Sequence, residues 1–201
     1  INEMSKNGYE FVYNISDFEK NKSDYIGFFT AKDEPYYYYK GVNYSYREDE
    51  PIEDFKGRES YLAKSTKSTL DKLKELGNPF FIMIEGSQID WAGHENNAEY
   101  LVSELIDFDE TIGKVLDYAE KDGETLVIVT SDHETGGFAL AAEKHLRKDG
   151  TEYSDYRDIE MVFSTKGHSA TLIPVFAYGP GSQEFLGIYE NTEIFHKILK
   201  I

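Results

Sequence analysis

Two short, unbroken apolar runs constrain this chain more than anything else in it. Phe80-Phe81-Ile82-Met83-Ile84 and Leu126-Val127-Ile128-Val129 show no polar alternation, the pattern of strands buried on both faces. Between them, Leu101, Leu105, Phe108, Ile112, Val115 and Ala119 mark one face of a long amphipathic helix that Gly123 ends. Ahead of them, from Glu59, Leu62, Thr66, Leu70 and Leu73 repeat at helical spacing, with Gly77 where a C-cap belongs. Strands alternating with helices predict an α/β layered fold around a largely parallel sheet.

The rest of the chain fits around that frame. Tyr9–Tyr13 and Tyr25–Phe29 read as strands of an opening β-α-β unit, with Ser16-Asp17-Phe18-Glu19 at capping-box spacing between them. Residues 33–57 lose periodicity and hold Tyr36-Tyr37-Tyr38-Tyr39, Tyr44, Tyr46 and the acidic Glu48-Asp49-Glu50. They read as a surface loop whose rings lie over the body, or as an aromatic patch for a partner. The charged stretch 143–158 reads as an irregular insertion. Leu172–Tyr178 is a last strand, interrupted by Pro174 and so at an edge or irregular. Asn191-Thr192 caps a closing helix with Ile194, Phe195, Ile198 and Leu199 inward. No repeat or linker divides residues 1–201.

Composition excludes several classes. With 21 Lys+Arg against 38 Asp+Glu the formal net charge is −17, which disfavours nucleic acid as a partner. No stretch approaches the roughly 18 apolar residues of a membrane span. Zero cysteines exclude disulfide and thiolate chemistry. The start Ile1-Asn2-Glu3, with neither methionine nor a signal segment, suggests a piece of something longer.

Chemistry gathers at the strand ends, as it does in open α/β sheets. Glu85 directly follows the first apolar run, and Asp132-His133 follows the second. Asp90 and His94, four residues apart, share one side of a helical turn and can bite one divalent cation. Adjacent strand residues point to opposite faces, so Asp132 and His133 can ligate together only if a turn begins there. Gly136-Gly137 nearby suit such a turn. Gly167-His168 precedes the last strand, and His168 joins the same rim if that strand runs antiparallel or its loop reaches over. Singly, each piece reads as a solvated carboxylate, a capping pair or a turn. Together they read as a metal site. His145 and His196 have no such context and read as structural or surface residues.

The segments Glu85-Gly86-Ser87-Gln88-Ile89-Asp90-Trp91-Ala92-Gly93-His94, Thr130-Ser131-Asp132-His133-Glu134-Thr135-Gly136-Gly137 and Gly167-His168-Ser169 resemble the three metal-binding motifs of alkaline phosphatases. Ala177-Tyr178-Gly179-Pro180 is similar too, so the resemblance runs from about Leu62 to the C-terminus, with a looser echo in the opening unit. It implies a three-layer α/β/α sandwich, of which residues 1–201 are the C-terminal part of the catalytic domain. It implies that Asp90, His94 and His168 hold one zinc, Asp132 and His133 a second, and Glu85 a magnesium. Two zinc ions about 3.5–4 Å apart would clamp the attacking and leaving oxygens of a phosphoryl displacement. Trp91 stands where the family can carry a phosphate-binding cation; phosphate contact and packing beside the site are both open for it. Family members are typically exported and often dimeric, which implies an extracytoplasmic location and leaves a homodimer open.

The family's serine nucleophile has no counterpart here. Ser65-Thr66-Lys67-Ser68-Thr69 lies within a helical pattern, and Ser131 and Ser169 match no nucleophile motif. The expectation is therefore a phosphomonoesterase as the parent protein, with this chain inactive alone and holding a single zinc well. Cofactor-independent phosphoglycerate mutases and phosphodiesterases share much of the pattern, but the position of Glu85 suits a third, oxygen-seeking cation, as in phosphatases. A non-catalytic metal-binding module is the rival from another class.

Overall fold

The computed structural model describes residues 1–29 and 61–201. The tyrosine-rich stretch expected at 33–57 lies outside them. The described elements are α1 (Asn2–Lys6), β1 (Glu10–Val12), α2 (Ile15–Lys20), β2 (Ile26–Phe28), α3 (Tyr61–Leu76), α4 (Gln88–Glu95) and α5 (Ala98–Asp122). They continue with β3 (Val127–Val129), β4 (Glu134–Thr135), β5 (Ala139–Leu146), β6 (Glu152–Val162), β7 (His168–Ser169) and β8 (Phe176–Tyr178). A 3-10 turn (Ser182–Phe185) and α6 (Glu193–Ile198) close the chain. Among the described residues no helix is long and apolar enough to cross a membrane.

The chain divides into two compact units, Ile1–Glu85 with Asp107–Val115, and Gly86–Ile106 with Leu116–Ile201. In the first, β1 and β2 pair in parallel, Phe11 opposite Gly27, as the opening β-α-β unit requires. The cap of α2 is Asn14 rather than the expected Ser16. Asn14 accepts from the Asp17 N–H at 2.9 Å, while its amide donates to the Asp17 carboxylate at 2.7 Å. The side-chain cap thus sits two residues earlier than the capping-box spacing suggested. Phe18 stacks on Phe28 at 5.1 Å, and Ala63, Thr66 and Leu70 bury one stripe of α3. Lys72 on α3 donates to the carbonyls of Phe18 and Asn21 at the end of α2, at 3.2 and 2.6 Å. A cation there satisfies carbonyls that the helix leaves open.

Three features depart from expectation. The run 80–84 joins no ladder among the described residues, and it is not covered on both faces. Its exposure alternates instead, with Phe81 77% and Met83 81% exposed while Ile82 and Ile84 are half-buried. The helix α5 does not turn its apolar stripe inward as a set. Leu101 and Ala119 are buried, but so are Ser103, Glu104, Asp107 and Thr111, whereas Leu105 is 48% exposed. Ser103 and Thr111 donate to the Tyr100 and Asp107 carbonyls, so their hydroxyls enter the interior already satisfied. Phe195 on α6 and Leu199 at its C-cap face solvent rather than inward.

The stretch expected as irregular at 143–158 belongs to an antiparallel hairpin of β5 and β6, interrupted once in its register. Its charges are paired locally: Lys144 bonds Glu152 at 2.8 Å, and Arg157 holds Asp155 through Nε and Nη2. The register shifts between Ala142 and Glu143, where Ile159 and then Asp155 stand opposite. Of the expected sheet, the described residues contain one parallel ladder, β1–β2; β3–β8, β4–β7 and β5–β6 are antiparallel pairs.

Candidate metal centre

The second unit assembles its site from α4, the loop after β3 and the short strand β7 ahead of β8. The strands β3 and β8 pair antiparallel, with Val129 opposite Phe176. The chain leaving β3 and the chain entering β8 therefore lie at the same end of the ladder. His168 reaches the rim by the antiparallel route that the sequence left conditional.

On α4, Asp90 and His94 share a face, with His94 Nε2 3.5 Å from Asp90 Oδ2. His94 Nδ1 meets the Lys166 carbonyl at 2.6 Å. A carbonyl can only accept, so the ring proton sits on Nδ1 and the Nε2 lone pair faces the cluster. His168 Nε2 lies 3.3 Å from His94 Nε2 and 3.9 Å from Asp90 Oδ1. One ligand atom from each of Asp90, His94 and His168 falls within 4.8 Å of the others. A tetrahedral zinc with bonds of about 2.0–2.1 Å holds its ligand atoms roughly 3.3–3.4 Å apart. The two nitrogens meet that spacing and the carboxylate lies slightly outside it, so the donor set fits such an ion.

Asp132 and His133 stand beside this cluster. A bend at Asp132 lets both point the same way, with His133 Nε2 3.3 Å from Asp132 Oδ2, and the His133 ring stacks on His168 at 3.6 Å. The turn the sequence required thus begins at Asp132 itself, before Gly136-Gly137. Trp91 is half-exposed on α4, next to Asp90. Glu85 is exposed at the end of the first unit.

Two close approaches hold the arrangement. A Cβ on Gly93 would meet the Thr135 carbonyl oxygen at 2.7 Å, so α4 lies directly on β4 because position 93 has no side chain. Gly136, at φ +92°, accepts from Ser164 and Thr165 and donates to the Gly167 carbonyl at 3.0 Å. It ties the second motif to the segment that delivers His168. The pair β4–β7 sets Thr135 opposite His168, and Ser169 donates to Glu134.

Several contributors were missed by sequence reasoning: Thr135, whose hydroxyl touches Asp90, the Lys166 carbonyl, and Glu134. Thr135 lies two residues beyond His133, so an extended chain there sets both on one side, the one signal that could have found it. Of the histidines set aside, His196 is exposed on α6. His145 lies 3.9 Å from Asp158 Oδ2 on the hairpin, where Glu143 joins them. The hydrogen bond and charge of Asp158 push the Glu143 carboxyl above its ordinary range.

The family model described as alkaline phosphatase matches residues 1–156. The match takes in the opening β-α-β unit and ends before His168. The chain is 30% identical to alkaline phosphatase 3 of Bacillus subtilis over 262 aligned positions, covering all of this chain and 54% of that protein. The solved alkaline phosphatase of the Antarctic bacterium TAB5 superposes with a TM-score of 0.79 at 50% identity, over 98% of this chain and 52% of that one. A TAB5 variant with magnesium bound in its M3 site gives 0.80 at 52% identity. The chain thus spans about half the length of these proteins and shares their fold.

Proposed function

Because the chain belongs to the alkaline phosphatase family, we propose that it supplies most of the zinc ligands of a longer protein that hydrolyses phosphate monoesters. The convergence of Asp90, His94 and His168 on one point carries this reading. Asp90, His94 and His168 would hold one zinc, Asp132 and His133 a second, and Glu85 a magnesium. Bound there, the two zinc ions supply Lewis acidity at the attacking and leaving oxygens of an in-line displacement.

What the chain itself does is orient donors. The Lys166 carbonyl keeps the His94 lone pair turned inward, and the stacking of His133 on His168 keeps the two pairs adjacent. Assigning Glu85, Asp90 and Asp132 to cations leaves 38 − 3 = 35 acids against 21 bases, still −14. A locally positive centre in a negative body favours small phosphoesters over polyanions. We place the serine nucleophile outside these 201 residues, in the other half of the relatives' length. Residues 1–201 are then the C-terminal part of the catalytic domain, within a three-layer sandwich completed by that half.

Hydrolysis of p-nitrophenyl phosphate tests the reading. The zinc-loaded chain alone should show none, and the longer protein should turn over and lose activity in His94→Ala. Zinc-dependent turnover by the chain alone that His94→Ala abolishes would refute the placement of the nucleophile, and a longer protein indifferent to His94→Ala would refute the site.

A further inference from the structure

One hydroxyl stands between the two pairs of candidate ligands. Thr135 Oγ1 donates to Asp90 Oδ1 at 2.5 Å and lies 3.2 Å from His133 Nδ1. A hydroxyl has one proton, and here the carboxylate takes it. Towards His133 the oxygen can then only accept, which places an imidazole proton on Nδ1 and leaves Nε2 as the nitrogen open to a cation. That Nε2 is the atom that faces Asp132 Oδ2 at 3.3 Å. On the other side, the bond to Oδ1 fixes the plane of the Asp90 carboxylate and leaves Oδ2 towards His94.

We propose that Thr135 is a positioning residue for both metal positions at once, orienting the carboxylate of the first and setting the tautomer of the second. The inference rests on the metal-centre reading above. Two features keep the hydroxyl from drifting. Thr135 pairs with His168 in the β4–β7 ladder, so its backbone is tied to a third ligand. Its carbonyl and Cβ also lie against Gly93, at 2.7 and 3.0 Å from where a Cβ would stand. Hydrogen-bond partners of ligands tune affinity by typically 10–100-fold, because they fix ring orientation and raise ligand basicity. A partner shared by two centres should therefore affect both.

Thr135→Val keeps the shape and removes the hydroxyl, while Thr135→Ser keeps the hydroxyl and removes the methyl. Zinc affinity would be measured by competition with a chromophoric chelator on the whole chain. The His133 tautomer would be read from imidazole ¹⁵N shifts of the metal-free protein. Thr135→Val should weaken zinc about 10–100-fold and move His133 from the Nδ1–H form to a mixture, while Thr135→Ser retains both properties. Wild-type affinity and unchanged His133 shifts in Thr135→Val would overturn the inference, as would equal losses in Thr135→Ser. A wild-type chain that takes no zinc would overturn the metal-centre reading beneath it, and the metal-free ¹⁵N shifts tell that failure from this one.

Discussion

His94 Nε2 faces His168 Nε2 at 3.3 Å, a spacing that calls for a proton or a cation between the two nitrogens. The Lys166 carbonyl has already drawn the His94 proton to the far side of the ring. Half of this residue-level arrangement is legible in the sequence. The four-residue spacing of Asp90 and His94 is a helical period, which needs nothing beyond the helix to bring the pair together. The roles of Thr135 and Lys166 were not legible, because they depend on the β4–β7 register and on a loop carbonyl, and neither leaves a residue pattern. Gly93 belongs with them. Gly93→Ala would push a methyl to 2.7 Å from the Thr135 carbonyl, and it should destabilise the fold by about 1–3 kcal/mol, as overpacking does. Urea denaturation checks this, and a variant as stable as wild type would show that α4 can move off β4.

At the scale of elements, helix α3 and the hairpin carry separate expectations. Lys72 donates to two carbonyls at the end of α2. Lys72→Met keeps the stem but loses both bonds, and should cost about 0.5–1.5 kcal/mol, measured by the same denaturation. In the hairpin, Arg157 holds the Asp155 carboxyl below its ordinary range, chiefly through side-chain hydrogen bonds, and the Thr151 N–H does likewise for Asp149. Those carboxylates stabilise the hairpin above their unfolded range, and that support fades as pH falls through their lowered values. Glu143 has the opposite sign. Raised by Asp158, it supports the fold while protonated, and that support is lost as pH rises through its raised value. Cross-hairpin NOEs followed against pH should weaken on the acid side, and Arg157→Gln should blunt that loss. A pH-independent hairpin would contradict these assignments. The sequence read 143–158 as irregular because its strands carry charges on both faces, which gives no hydrophobic alternation to detect. The buried face of α5 misled for the related reason that Ser103 and Thr111 satisfy themselves on their own helix.

For the whole molecule, the order of strands and helices was readable, and the ladders were less so. Periodicity says that 126–129 is a strand; it does not say that β8 pairs with it in the reverse direction. That direction carries His168 to the rim. The run 80–84 was readable as apolar but not as lying outside any described ladder, since burial on both faces depends on neighbours that its own residues do not encode. The central claim is that this chain, about half the length of its relatives, carries a formed zinc-ligand set. X-ray absorption at the zinc edge of the zinc-loaded chain tests that most directly. The account expects tightly held zinc, with two imidazole nitrogens and oxygen in its first shell at about 2.0–2.2 Å, and one imidazole lost in His94→Ala. An all-oxygen shell, or one that His94→Ala leaves unchanged, would contradict it.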